Sequence, residues 1–266
     1  MIKTIKTGTI EYLVSEGITA PHCFTTRLGG VSTGIYDSLN LSISRSDEEA
    51  NVVENYRRIG MILGFTPEDV VNARQTHSDI VLQVGRSHRQ KLTTPGVSPE
   101  CDGLITNEPG VALFVSTADC TPILLWDSKT GAVGAVHAGW RGTAADIAGK
   151  AVKAMSQAFG SDPRDIHAAI GPNLGVCCFE TDADVPQAMV ETFGEAAKAH
   201  IFPKGHKFYV NLKEINALAL SRAGVEHIEI SSDCTMCQHH KYWSHRYTRG
   251  NRGAQGAIIL CKEVQP

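Results

Sequence analysis

Residues 121–137 constrain the fold more than any other stretch: TPILLW and AVGAVH are apolar runs of strand length, and DSKTG at 127–131 between them is made of turn-forming residues. Two such runs around one short turn close as an antiparallel hairpin. If Trp126 lies opposite residue 131 or 132, paired residue numbers sum to about 257 or 258, which sets Cys120 opposite His137 or Ala138. Directly opposed side chains stand roughly 4.5 to 5.5 Å apart at Cβ, so a thiolate and an imidazole there can share a proton or a metal ion. The hairpin therefore predicts a Cys/His pair. Beyond it, Ala138-Gly139-Trp140-Arg141-Gly142-Thr143 is a glycine-bracketed turn entering a helix, which would face backbone N–H groups and Arg141 toward whatever lies beside His137. That geometry suits an anionic or oxygen-rich substrate.

Around the hairpin, residues 111–116 read as a further strand, while 143–159, 184–199 and 212–223 carry helical periodicity. The last of these opens at Asn211 as a cap and closes at Gly224, followed by a strand-like 225–230. The polar stretch 86–100, with two prolines and neither period, reads as a surface loop. The class is α+β, and with no repeat or linker composition residues 1–266 read as one catalytic domain. At 42% apolar residues the chain can bury a full core without disulfides.

A formal charge of −3 argues against a polyanion-binding surface, so no nucleic acid is expected as a partner and any phosphate contact must be local. The apolar runs at 111–115 and 123–126 are far shorter than the roughly 20 residues that span a bilayer, so no membrane is expected. The first twenty residues lack an apolar block with a small-residue cleavage site, which points to the cytoplasm and to eight cysteines held as thiols. Cys234-x-x-Cys237 with His239 and His240 offers four donors, but structural zinc sites draw on two separated knuckles and only one is visible. Cys177 and Cys178 are adjacent, so in an extended segment they point apart and read as packing residues. The basic, aromatic stretch from Lys241 to Arg252 reads as a contact for a small anion or a solvated edge.

The residues of the hairpin belong to a wider pattern. It runs through Thr26-Arg27-Leu28-Gly29-Gly30-Val31-Ser32, Ser38-Leu39-Asn40-Leu41, Gln75-Thr76-His77, Asp102-Gly103-Leu104-Ile105-Thr106 and Ala118-Asp119-Cys120-Thr121-Pro122. It continues through Ala135-Val136-His137-Ala138-Gly139-Trp140-Arg141-Gly142, Ile170-Gly171-Pro172, Cys177-Cys178-Phe179-Glu180, Asp233-Cys234-Thr235 and Ser244-His245-Arg246. Over nearly its whole length the chain resembles the YfiH family, variously described as multicopper polyphenol oxidase (laccase-like), purine nucleoside phosphorylase and peptidoglycan editing factor. The resemblance implies a layered α/β/β/α sandwich with mixed sheets, similar to the catalytic domain of cytotoxic necrotizing factor.

The same resemblance implies that His77, Cys120 and His137 are both the catalytic residues and the ligands of a metal, zinc, with copper as the alternative ion. Two imidazoles and a thiolate are a familiar catalytic zinc set that leaves a fourth position open. Zinc lowers the pKa of water to roughly 7, which suits hydrolytic deamination. The implied activity is phosphorolysis of adenosine, inosine and methylthioadenosine together with adenosine deamination, in a monomer whose partners are a small-molecule nucleoside and phosphate. Arg27, Arg141 and Arg246 are the expected phosphate holders, and Asn40 and Gln75 the expected partners of ribose or base. This chain departs from the commoner family pattern in having Tyr247, not a second arginine, after Arg246. Two rival readings use the same residues or name: an amidohydrolase with Cys120 as nucleophile and His137 as base, acting on peptidoglycan precursors, and a laccase-like polyphenol oxidase. The oxidase needs several closely spaced histidines with a Cys/His/Met cluster, and no such arrangement stands in the sequence. A binding module without catalysis is the remaining class.

Overall fold

The computed structural model of the chain describes residues 1–89 and 98–263. Two six-stranded sheets stack face to face. The first runs in the order β1 (Ile2–Thr7), β2 (Ile10–Ser15), β3 (His22–Thr25), β15 (Gln255–Leu260), β7 (Ala112–Thr117) and β4 (Val70–Asn72), antiparallel except where β4 joins β7. The second runs β14 (His227–Ile230), β10 (Ile166–Ile170), β8 (Thr121–Asp127), β9 (Val133–Ala138), β6 (Gly103–Thr106) and β5 (Val81–Gln83), with a parallel pair at each edge. A small third sheet joins β11 (Glu180–Thr181), β13 (Lys207–Val210) and β12 (Ile201–Lys204). The helices are α1 (Glu49–Leu63), α2 (Trp140–Ala144), α3 (Ile147–Phe159), α4 (Asp184–Phe193), α5 (Glu195–Lys198), α6 (Leu212–Arg222) and α7 (His245–Thr248).

The alternation of side chains along the central strands builds the layers. On β15, Ala257 and Ile259 face the other sheet and meet Leu104, Leu124 and Ala135, whereas Ile258 and Leu260 turn to α1 and pack with Val52, Tyr56 and Ile59. On β8, Leu124 lies between the sheets while Ile123 and Leu125 face the other way, toward Ile147, Val152 and Met155 of α3 and Ile215 of α6. The order is helix, sheet, sheet, helices, an α+β sandwich with mixed sheets. A strand buried on both faces reads as a continuous apolar run, which is why TPILLW stood out. Truncating Leu124, fully buried in the middle layer, to alanine costs about 2–5 kcal/mol.

The structure corrects three local expectations. The helical stretch 143–159 is two helices, because Asp146 takes a left-handed conformation (φ 58°) and caps α3 by accepting a hydrogen bond from the Gly149 N–H. The stretch 184–199 likewise breaks at Gly194 (φ 61°). In the hairpin, Asp127 pairs with Ala132 across a four-residue loop, since its carboxylate accepts from the Lys129 and Thr130 N–H groups and Gly131 N–H reaches the Asp127 carbonyl. Trp126 therefore faces Val133 and Pro122 faces His137, so paired residue numbers sum to 259, past both expected registers. Of the loop expected at 86–100, Arg86–His88 forms one 3-10 turn, and residues 90–97 lie outside the described residues. Among the described residues no helix is long and apolar enough to cross a membrane.

Candidate metal centre and active-site pocket

The register shift leaves Cys120 just outside the ladder but on the same face as His137, because side chains two positions apart along a strand share a face. Convergence is diagonal rather than direct. Asp119, at φ 92°, bends the chain immediately before Cys120. His77 arrives from the loop after β4, itself left-handed at φ 60°. That loop is tied down by one buried carboxylate: Asp102 accepts hydrogen bonds from the N–H groups of Thr76, His77 and Ser78 (3.1, 3.2 and 2.6 Å) and from the Ser78 hydroxyl (2.7 Å). The same carboxylate meets His137 Nδ1 at 2.7 Å, leaving His137 Nε2 for the site. Such a carboxylate fixes both tautomer and orientation of a ligating histidine.

His77 Nε2 lies 3.7 Å from Cys120 Sγ, and the His77 and His137 rings meet edge to face with centroids 5.0 Å apart. The ligating atoms of His77, Cys120 and His137 all fall within 4.8 Å of one another. Around a tetrahedral zinc ion, with bonds of about 2.0–2.3 Å, donors stand roughly 3.5 Å apart, so the three residues fit such an ion with small adjustments. Gly139 makes room for them, since a Cβ there would sit 2.6 Å from the His77 ring and 3.4 Å from Cys120 Sγ.

The charges are mutually supporting. Burial alone would raise the Cys120 thiol, but the His137 imidazolium and hydrogen bonds from His137 and His77 outweigh it and bring it down to about 6. Burial opposes the His137 charge as well, yet Cys120 and Asp102 lift that imidazole to about 9. Burial would raise the Asp102 carboxyl, and its bonds from His137 and Ser78 nonetheless hold it well below the usual carboxylate range.

These three residues line a cavity of about 490 Å³, within the range of small-molecule sites. Gln75, Arg45, Thr117 and Arg252 also line it. Two buried polar atoms there, Thr117 Oγ1 and Arg252 Nε, have no hydrogen-bond partner among the described residues. Burial, together with the neighbouring Arg45, lowers the Arg252 guanidinium to about 10. Two arginines close enough to repel, one with an unsatisfied N–H, make a place for an anion.

The residues expected to hold substrate distribute differently. Gln75 reaches the cavity but spends its amide on Ser116, donating to the carbonyl (2.8 Å) and accepting from the N–H (2.7 Å). Asn40 is fully buried; its oxygen accepts from the Ser42 and Ala254 N–H groups and its nitrogen donates to Asp47, so it shapes the loop carrying Arg45. Arg27 stacks 3.9 Å over Trp243 and donates to the carbonyls of Asp37 and His239. Arg141 is exposed over Trp140. Arg246 donates to the carbonyls of Cys178 and Glu180, and its N–H to Asp119. None of Arg27, Asn40, Arg141 and Arg246 lines the cavity. Arg45 lies four residues beyond the Ser38–Leu41 block and Arg252 ends the basic stretch, but neither position carries a local signal that separates it from a solvated arginine.

Elsewhere, the sulfurs of Cys177, Cys178, Cys234 and Cys237 lie within 4.8 Å of one another. The expectation that Cys177 and Cys178 point apart fails because residues 175–179 form a turn, in which the Cys178 and Phe179 N–H groups both donate to the Gly175 carbonyl.

The sequence model of the family described as multi-copper polyphenol oxidoreductase laccase matches residues 21–262. The purine nucleoside phosphorylase YlmD of Geobacillus stearothermophilus is 38% identical over 248 residues, covering 90% of this chain and 89% of the relative. A purine nucleoside phosphorylase of Deinococcus radiodurans is 37% identical over 251 residues, covering 94% and 92%. Among solved structures, YlmD from Geobacillus stearothermophilus superposes with a TM-score of 0.92 at 34% identity, covering 97% of this chain and 98% of that one. A hypothetical protein YfiH from Bacillus licheniformis superposes with a TM-score of 0.91 at 32% identity over the same shares. The chain therefore belongs to the YfiH family, the family described as multi-copper polyphenol oxidoreductase laccase.

Proposed function

We propose that the chain is a purine nucleoside phosphorylase that cleaves adenosine, inosine and methylthioadenosine and also deaminates adenosine, with His77, Cys120 and His137 holding a zinc ion. The observation that carries the reading is the meeting of this donor set with a cavity that also contains Arg45 and Arg252. The names of the relatives point the same way. A bound zinc would supply Lewis acidity beside the substrate. The protein's own part is placement. Arg252 and Arg45 hold phosphate, Thr117 Oγ1 offers a further hydrogen bond, and Asp102 keeps His137 oriented. A phosphate oxygen then bonds C1′ as the C1′–N9 bond breaks, and the purine leaves with the bonding pair and takes up a proton, giving free base and ribose 1-phosphate. In deamination, water adds at C6 and ammonia departs. A thiolate with two imidazoles is a zinc-type set, and among the described residues the other cluster of metal-binding donors consists of cysteines, which provides no histidines for a multi-copper centre.

One observation favours a second reading. Asp102, His137 and Cys120 stand in the order of a carboxylate, a base and an activated thiol, with the Asp102–His137 contact at 2.7 Å, as a cysteine amidohydrolase requires. Product identification from adenosine, with and without phosphate, separates the two. Phosphorolysis gives adenine and ribose 1-phosphate only when phosphate is present, and deamination gives inosine without it. Adenosine left intact by zinc-loaded protein, with hydrolysis of a peptidoglycan-precursor amide by the metal-free protein abolished on alkylation of Cys120, would overturn the first reading in favour of the second.

A further inference from the structure

The four-cysteine cluster is built from two turns that the fold sets side by side. Cys177 and Cys178 lie in the turn at 175–179, and Cys234 and Cys237 in the turn that follows β14. A bridge between Asn173 and Cys234, with the Thr235 N–H donating to the Asn173 carbonyl at 2.9 Å, fixes one turn against the other. Cys237 Sγ lies 3.5 Å from Cys177 Sγ and 3.4 Å from Cys178 Sγ. In a tetrahedral tetrathiolate with bonds of about 2.3 Å, sulfurs stand about 3.8 Å apart, so these distances open around one ion with movements of tenths of an ångström. A disulfide would require about 2.05 Å.

The surroundings are those of a ligand cage. The Gly175 N–H donates to Cys234 Sγ at 3.3 Å, the kind of backbone contact that stabilises a thiolate. A Cβ at Gly175 would stand 3.1 Å from Cys234 Cβ and 3.3 Å from Cys177 Sγ, so glycine lets the chain close over the sulfurs. The buried Lys213 donates to the carbonyls of Ser231 and Asp233 (2.6 and 2.7 Å), placing a cation beside the Cys234 turn. A tetrathiolate around a divalent ion is dianionic, and a fixed ammonium offsets part of that charge.

We propose that Cys177, Cys178, Cys234 and Cys237 form a second metal site, a tetrathiolate that takes one soft divalent cation of the zinc type and acts structurally. Each thiol releases its proton to solvent as its sulfur binds. Four sulfurs fill a tetrahedral ion and leave no position for substrate, so the site clamps rather than reacts. What it clamps lies next to the pocket: the Thr235 hydroxyl donates to Asp119 Oδ1 at 2.6 Å, and the Leu174 N–H donates to the Asp119 carbonyl at 2.8 Å. Asp119 carries the bend before Cys120.

The test is metal counting on a protein that has lost the other site. A His77→Ala, Cys120→Ser double variant, loaded with zinc and desalted, keeps one zinc per chain. Loaded with cobalt instead, it shows the sulfur-to-cobalt charge-transfer absorption and visible bands of a tetrahedral thiolate site. Adding Cys237→Ser removes both. Should that triple variant not fold, the cobalt spectrum of the double variant and protection of its four clustered thiols from a thiol reagent decide the matter. A double variant that retains neither zinc nor cobalt, or a disulfide among the four cysteines in protein purified from reducing cells, would overturn the proposal.

Discussion

Two clusters of metal-binding donors, far apart along the chain and brought together through Asp119, differ in what their donor sets permit. Around Cys120 the donors are one sulfur and two imidazoles, one imidazole is held by Asp102, and the group lines a cavity that contains arginines. Around Cys237 the donors are four sulfurs held by turns. Three donors leave a coordination position free and four do not, so the first arrangement can act on a substrate and the second can only hold the chain. The link between them is Asp119, which receives Thr235 from one side and precedes Cys120 on the other.

The comparison breaks most decisively by exchanging the lesions. Cys120→Ser should lower phosphorolysis by about 10³-fold or more, equivalent to about 4 kcal/mol of transition-state stabilisation. Cys237→Ser should do the reverse: activity at 25 °C stays within a few-fold, while stability falls by about 4 kcal/mol when free zinc stands at 1,000 times its Kd. Paired kinetics and thermal melts with and without chelator read both, and equal effects of the two substitutions on activity would erase the distinction. Next in size, Asp102→Asn should weaken metal retention at the triad by about 10–100-fold without touching the four-cysteine site, measured by chelator competition. Arg252→Ala should raise the KM for phosphate by about 10-fold and leave the KM for adenosine nearly unchanged, since it removes one charge-assisted contact.

The smallest effect is a control remote from both sites. His22 accepts a hydrogen bond from the Ser15 N–H at Nε2 (2.8 Å) while its Nδ1 faces the Ala20 carbonyl, a neutral tautomer. Burial lowers its pKa against the opposing pull of the Ala20 carbonyl. The unfolded chain therefore takes up the proton first, and the stability His22 contributes is present above about pH 6.5 and declines as pH falls below it. Between pH 7.5 and 5.5 the melting temperature should fall more for the parent protein than for His22→Gln; identical slopes would show that His22 does not titrate on unfolding.

What the sequence disclosed was mainly local. The hairpin could be read because its strands are consecutive and its turn residues distinctive, and the true register lies two steps from the pairing that sets Cys120 against His137, a full side-chain period, so both stay on one face. The loop length was misjudged because it depends on the Asp127 carboxylate gathering the Lys129 and Thr130 N–H groups. Helix α1 is hard to read in the sequence because its buried face includes Asn55 and Gly60, which blur the apolar period. The resemblance brought His77 to the hairpin, whereas the sequence alone had no means to do so. Neither route could supply the second knuckle of the cysteine cluster: Cys177 and Cys237 lie 60 residues apart, and the turn that gathers adjacent cysteines has no marker beyond Gly175. Arg45 and Arg252 likewise meet only through tertiary folding.

A zinc-edge anomalous difference map of crystals grown from zinc-loaded protein addresses the central claim directly. It should show one peak within about 2.0–2.3 Å of Cys120 Sγ and a nitrogen of each of His77 and His137. A map with no density among these three side chains, from protein that cleaves adenosine at full rate, would contradict the account.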